Sequence, residues 1–327
     1  MAELLTDVMS LPTLEEIRAA QELVYSLMPP TPQMVWPLLS ERLGTELWVK
    51  HENHTPIGAF KARTAVVYAA ESFKQNNNIT GLVTATRGNH GQSVALAARR
   101  FGVPAFIVVP QGNSTEKNAA MRAQGGRLIE YGEDFQESKE HAQTLAAERG
   151  WHFVPSYHPN IVKGVATYWL EFFSAVKDVD IVYVPIGQGS GICSCAAVRN
   201  ALNLRTKIVG VVAEGAPAYA LSFEAGRKIA APVTTLLADG MACRVPDDAS
   251  LAIVLENVER VIQVSEENIR QAMRTIFTDT HNVAEGAGAA GFAAALKEKS
   301  ALNGKRVGIV LTGGNVDRDI FARVLAD

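Results

Sequence analysis

Between Gly81 and Gly150 the chain changes its apolar period repeatedly. GLVTAT is followed by GNHGQSVALAARRFG, PAFIVVP by STEKNAAMRAQGG, and RLIEYG by FQESKEHAQTLAAERG. The short apolar runs suit strands, and the longer segments space their apolar residues as helices do. A strand that must pass through a helix before the next strand returns to the sheet in the same direction. This alternation therefore predicts an open parallel sheet with helices on its faces.

The alternation resumes further on. IVKGVATYWLEFFSAV, GICSCAAVRNAL, EENIRQAMRTIFTDT and GAGAAGFAAALKE read as helices, and IVYVPIG, KIVGVVAEG and KRVGIVLTGG as strands. Upstream, LPTLEEIRAAQELVYSL opens on a capping box of Thr13 and Glu16, and PPTPQMVWP carries turn chemistry. TELWVKHEN reads as a short strand and ARTAVVYAAESFKQ as a helix. A length of 327 residues allows two domains or one large one. No regulatory domain is expected after the last strand and its short helix.

Composition excludes several classes. With 47% hydrophobic and 20% charged residues the chain reads as a globular enzyme rather than a disordered segment. A net charge of -3 argues against nucleic acid as a partner, and no apolar run reaches membrane-spanning length. The acidic, polar start MAELLTDVMSLPTLEEI does not read as a secretory leader. Cys193, Cys195 and Cys243 fit neither a disulfide framework nor a common zinc spacing, which points to a reducing cytoplasm.

Open α/β sheets bind ligands beyond the carboxyl ends of their strands. Turns of this kind carry unusual residues in TPIGAFK, TRGNHGQ, PIGQGSGI and LTGGN. The run Gly187-Gln188-Gly189-Ser190-Gly191 lets backbone N–H groups approach an anion at a helix start, with the Ser190 hydroxyl as a further donor. It has neither the Gly-Lys-Ser/Thr ending of a Walker loop nor GxGxxG spacing, and a plain tight connection stays open. The stretch Thr86-Arg87-Gly88-Asn89-His90 suits a carboxylate, and Asn89 could donate to a phenolate oxygen. A helix cap for Asn89 and a structural hydrogen bond for His90 are the alternatives. The Thr312 hydroxyl could meet a ring nitrogen or satisfy a nearby backbone group. Lys61 is either a solvent-facing lysine in a first helical turn or an amine held where a small molecule reaches it.

In this order, GAFKAR, RGNHGQ, PIGQGSGI and LTGGN resemble the fold type II pyridoxal-phosphate enzymes. Within them they are similar to the L-threonine/L-serine dehydratase branch, which includes serine racemases. The resemblance runs from about Thr31-Pro32 to the C-terminus. It implies an α/β fold of the tryptophan synthase β type, with two open, mostly parallel twisted sheets flanked by helices. It further implies a large cofactor-binding domain of residues 1–52 and 153–327, a small substrate-side domain of residues 53–152, and a homodimer or larger homo-oligomer. The implied cofactor is pyridoxal 5'-phosphate and the implied ligand a small amino acid. Lys61 would hold the cofactor as a Schiff base and, once freed, remove the Cα proton. Phe60 would pack against the ring, Asn89 would bond the ring hydroxyl, and Thr312 would meet the pyridine nitrogen. Gly187, Gln188, Gly189, Ser190 and Gly191 would hold the phosphate, with Gly240 of the ADG stretch beside the cofactor. Thr86, Arg87, Gly88 and His90 would bind the substrate carboxylate. The implied reaction removes water from a 3-hydroxy amino acid of the L-threonine or L-serine type, giving a 2-oxo acid and ammonia. Alternatives are a dehydratase for 3-hydroxyaspartate or a hydroxyectoine-derived amino acid and, in another class, a regulatory protein that binds cofactor or amino acid without catalysis.

The sequence departs from that pattern at informative places. Arg87 stands where the racemases carry a serine base. A guanidinium stays protonated, so racemisation is disfavoured. It could instead bind a second carboxylate bidentately, or point outward to a surface acid. Relatives with a divalent-cation site use a glutamate, a carbonyl and an aspartate along one loop. Here Glu214 and Ala218 are followed by Ala220 where the aspartate would be, so no tight cation is expected. KGVAT replaces a Gly-Gln-Gly-Thr run but keeps Gly164 and Thr167.

Overall fold

The computed structural model describes residues 11–326, and most of the N-terminal stretch read against a secretory leader lies outside them. Its strands are β1 (Gln33–Val35), β2 (Leu47–His51), β3 (Leu82–Ala85), β4 (Ala105–Val109), β5 (Gly126–Glu130), β6 (His152–Phe153), β7 (Ile181–Pro185), β8 (Lys207–Ala213), β9 (Arg260–Val264) and β10 (Val307–Leu311). They form a six-stranded sheet of order β1-β2-β10-β7-β8-β9 and a four-stranded sheet of order β5-β4-β3-β6. The small sheet is parallel throughout, as its strand-helix alternation requires. The large one is parallel except for β1, which runs antiparallel to β2 at the edge. The expected fold class, two mostly parallel sheets flanked by helices, is the observed one.

The core follows from the same pattern. The helix Pro159–Ala175 is apolar nearly all round, with Trp169, Phe172 and Tyr168 fully buried, because it packs beneath both the helix Thr64–Gln75 and the helix Ser190–Ala201. Cys193 and Cys195 are free thiols buried in that last helix, and Cys243 is likewise free and buried. The capping box of Thr13 and Glu16 is formed. Two expectations need correction. PPTPQMVWP is not only a turn, because Gln33–Val35 within it is an edge strand, where neighbouring prolines cost few ladder bonds. Lys61 does not stand in the first turn of an α-helix. Phe60–Arg63 is a 3-10 turn, and the α-helix begins at Thr64.

A buried ion cluster fixes that turn from below. Arg63 donates to both oxygens of Glu52, at 2.8 and 2.9 Å, and to both of Glu171, at 2.6 and 3.0 Å. Lys50 donates to Glu171 at 2.6 Å. Thr167 accepts from Arg63, and a Cβ on Gly164 would lie 2.2 Å from the Arg63 carbonyl oxygen. The two residues retained in KGVAT therefore support the lysine turn.

Candidate active site

One cavity, at the carboxyl ends of the strands of both sheets, gathers all four turns singled out in the sequence. Lys61, Asn89, Gly187 to Gly191 and Thr312 line it, together with Phe60, Gly240 and the Thr86–His90 stretch.

The lysine turn is tied to the last strand of the large sheet. The Phe60 N–H donates to the Thr312 carbonyl at 2.9 Å, and Ala59 pairs with Gly313. The Lys61 carbonyl accepts from the Thr64 hydroxyl at 2.8 Å and from Ser93. Its Nζ has no hydrogen-bond partner among the described residues and sits 5.0 Å from the centre of the Phe60 ring. Burial lowers its pKa to about 8, because an ammonium there loses water without gaining a carboxylate. An ordinary lysine is neutral in only about one molecule in 2,500 at pH 7, whereas a pKa near 8 raises that to roughly one in ten. Lys61 is partly exposed and lines the cavity.

The glycine turn ends β7 and opens the helix Ser190–Ala201. A Cβ on Gly187 would fall 2.4 Å from the Gly240 carbonyl oxygen, so this turn and the ADG stretch touch backbone to backbone. Gly189 has φ +97°, and a Cβ there would lie 1.7 Å from Ser250 Oγ. That oxygen is held by a 2.9 Å bond from the Tyr219 hydroxyl and cannot simply swing away. Gly191 has ordinary room. The Gln188 side chain donates to Cys243 Sγ at 3.6 Å, and its carbonyl accepts from the Tyr219 hydroxyl at 3.1 Å. Replacing Gly189 with alanine should push the turn out of shape and weaken binding of pyridoxal phosphate at least about tenfold. An absorbance titration of the cofactor-free protein checks this.

The carboxylate stretch joins β3 to the helix Asn89–Phe101. The Gly88 N–H is already used, donating to Thr86 Oγ1 at 3.0 Å. The first-turn amides of Asn89 and His90 have no intrahelical acceptor and remain for a ligand. Neither alternative for the side chains holds in full. Asn89 does not cap the helix. Its Nδ2 donates to Glu285, and its Oδ1 accepts from Asn315 at 2.7 Å. His90 is buried, with Nε2 3.4 Å from the Val154 carbonyl and Nδ1 without a partner. Burial and the nearby Lys61 push its pKa down to about 3, so it is neutral. The buried Thr312 makes its bond to Phe60 through its carbonyl, and its hydroxyl has no partner among the described residues. Arg87 is exposed at the cavity rim and has no acidic partner among the described residues.

Sequence reasoning missed three charged residues of this cavity. Lys117 passes its stem over Gly88 and bridges to Asp239 at 2.5 Å. Glu285 is buried, and burial, reinforced by Asp239, pushes its carboxyl up to about 7. Asp239 adjoins the ADG glycine, which was a usable signal. Glu285 gave none, standing 196 residues from Asn89 at the start of an ordinary helix. A carboxyl raised from 4.5 to about 7 favours the fold most below its unfolded pKa. That contribution is lost as pH rises through about 7. For the cofactor-free protein, Glu285→Gln should therefore remove about 3 kcal/mol of stability loss between about pH 4.5 and 7.5. Denaturant unfolding at several pH values measures it.

The family profile for "pyridoxal-phosphate dependent enzyme" matches residues 24–313, nearly the whole of the chain. The chain belongs to this family. An L-threonine ammonia-lyase of Thermotoga maritima is 35% identical to this pyridoxal-phosphate enzyme over 96% of its length and 78% of the relative's. An L-threo-3-hydroxyaspartate ammonia-lyase of Saccharomyces cerevisiae is 31% identical, over 97% of the chain and 98% of the relative. Maize serine racemase superposes with a TM-score of 0.89 at 29% identity, over 97% of this chain and 98% of that one. The cavity fits the family's cofactor. It offers a partly exposed amine and a hydroxyl at the end of β10, neither with a partner among the described residues, and a glycine cradle at a helix start that a Cβ would fill. Among the described residues, no group of three or more His, Cys, Asp or Glu side chains could hold a metal ion, and Glu214 is exposed. No described helix is long and apolar enough to cross a membrane.

Proposed function

We propose that this pyridoxal-phosphate enzyme removes water from a 3-hydroxy amino acid of the L-threonine or L-serine type, releasing a 2-oxo acid and ammonia. The observation that carries the proposal is the Lys61 amine, without a partner among the described residues, in a cavity that also holds a phosphate-sized glycine turn. The activities named for the Thermotoga and yeast relatives support it.

When bound, pyridoxal phosphate draws electrons away from the Cα of the amino acid attached to it, which makes the Cα proton removable. Gly187 to Gly191 would hold its phosphate through backbone N–H groups and the Ser190 hydroxyl. Phe60 would pack against the ring and Gly240 would lie beside it. Thr312 would offer a hydroxyl to the pyridine nitrogen and, unlike a carboxylate, would not force that nitrogen to stay protonated. Within the Thr86–His90 stretch, the free first-turn amides of Asn89 and His90 receive the substrate carboxylate and so fix Cα in front of Lys61. The neutral Lys61 amine takes the Cα proton. The β-hydroxyl leaves with a proton as water, and hydrolysis of the released enamine returns that water as the 2-oxo acid and ammonia form. Residues 53–152 serve in this scheme as the substrate-side domain, and a cytoplasmic homo-oligomer completes it. Buried free thiols at Cys193, Cys195 and Cys243 suit a reducing compartment.

The test is a substrate panel of threonine, serine and 3-hydroxyaspartate, in which 2-oxo acid and ammonia are measured together. Equal release of both from at least one supports the proposal, and no release from any of them overturns it. A second reading, a substrate with a second carboxylate, is favoured by the unpaired Arg87 at the rim. A bidentate bond to a charged group contributes about 1.5–3 kcal/mol. On this reading Arg87→Ala lowers kcat/KM for hydroxyaspartate by roughly 10- to 150-fold and for threonine by no more than about threefold. Equal losses on both substrates would remove this reading.

A further inference from the structure

Glu285 precedes the helix Gly286–Lys297 at the capping position, yet its side chain makes no cap hydrogen bond. It turns instead into the cavity. Both carboxyl oxygens face Asn89 Nδ2, at 2.9 and 3.2 Å. On its other flank, a Cβ on Gly313 would lie 2.7 Å from Glu285 Oε1. The carboxyl thus occupies the wall between Asn89 and the glycine that follows Thr312.

Asn315 completes the arrangement. Its Nδ2 donates to Asn89 Oδ1 at 2.7 Å and to the Ile57 carbonyl at 2.8 Å. With an acceptor at its nitrogen and a donor at its oxygen, the Asn89 amide has one favourable orientation. Flipping it would set its oxygen against the Glu285 carboxyl. One hydrogen of Nδ2 serves Glu285, and the other remains for a ligand in the cavity. The charged groups that face Glu285 are Asp239 and Lys117, paired with each other, and Lys61 lines the same cavity. The end of β10, Thr312 to Gly314, adds no charge.

We propose that Glu285 is a positioning residue that, through Asn89 and with Asn315, fixes the donor presented to the ring hydroxyl of bound pyridoxal phosphate and sets the charge beside that oxygen. The proposal rests on the assignment of this cavity to the cofactor and adds a role for a residue remote in sequence from every recognised motif. A carboxylate beside the ring oxygen opposes a second negative charge there. Removing the carboxylate charge while keeping an acceptor for Asn89 should let the ring oxygen lose its proton at lower pH.

The experiment is a pH titration of the visible absorption of the pyridoxal-phosphate-loaded protein without substrate, for wild type and Glu285→Gln. The midpoint is expected to fall by at least about one pH unit in the variant. An unchanged midpoint in a loaded variant overturns the proposal. If wild type forms no visible band with pyridoxal phosphate, the cofactor assignment itself fails, a result distinct from the first. A second measurement needs no cofactor. The Asn89 side-chain amide resonances of the unloaded protein should move with pH between about 6 and 8 in wild type and stay still in Glu285→Gln. A resonance that moves identically in both also overturns the proposal.

Discussion

Lys61→Ala is expected to leave the chain folded and to lower ammonia release from its best substrate by at least about 10³-fold. Two losses combine. The Cα proton loses its acceptor, and the cofactor loses the amine to which it is attached. The fold should survive, because Nζ has no partner among the described residues to abandon and desolvation already disfavours its charge. The turn itself is held by backbone bonds from the Phe60 N–H to the Thr312 carbonyl and from the Thr64 N–H to the Lys61 carbonyl. A small primary amine added to the variant should restore part of the rate. A loss below about tenfold, with circular dichroism unchanged, would mean that another group takes the proton.

Arg63→Met is expected to destabilise the protein by about 3–5 kcal/mol. The wild-type cluster balances two cations, Lys50 and Arg63, against two carboxylates, Glu52 and Glu171, all buried. Without the guanidinium, two carboxylates share one ammonium in a dry environment. Among the described residues Glu52 then keeps the Thr31 hydroxyl alone as a hydrogen-bond donor, at 2.5 Å. Arg63→Lys should recover part of the loss. It restores the charge but not the fork that binds both carboxylates at once. Because Arg63 closes the 3-10 turn that carries Lys61, weakened cofactor binding should accompany the lost stability. Denaturant unfolding with and without pyridoxal phosphate separates the two effects. Equal stability of Arg63→Met and wild type would show that the cluster is dispensable.

The sequence announced the parts of this fold that obey a period or demand a glycine. The units from Gly81 to Gly150 appeared as a parallel sheet because buried strands and amphipathic helices differ so clearly in apolar spacing. Gly187 and Gly189 were legible because a tight approach to Gly240 and Ser250 admits no side chain. Local rules failed where a distant partner decides. Gln33–Val35 is a strand only because β2 offers it an edge, and its prolines had pointed to a turn. Lys61 had ordinary helical company after it, and only the pairing of Ala59 with Gly313 shows why the turn tightens before Thr64. Glu285 was invisible for the same reason. An acid before a helix reads as a favourable charge at its N-terminus, and nothing nearby in sequence reveals Asn89. Arg87 was noticed as a departure, but its lack of an acidic partner among the described residues is set by the fold and not by its sequence neighbours.

The most direct measurement is borohydride reduction of the pyridoxal-phosphate-loaded protein, followed by peptide mass mapping. The cofactor is expected on Lys61 alone, although Lys117 lines the same cavity. Attachment to Lys117, to another lysine, or to none would contradict the assignment of Lys61 and the reaction built on it.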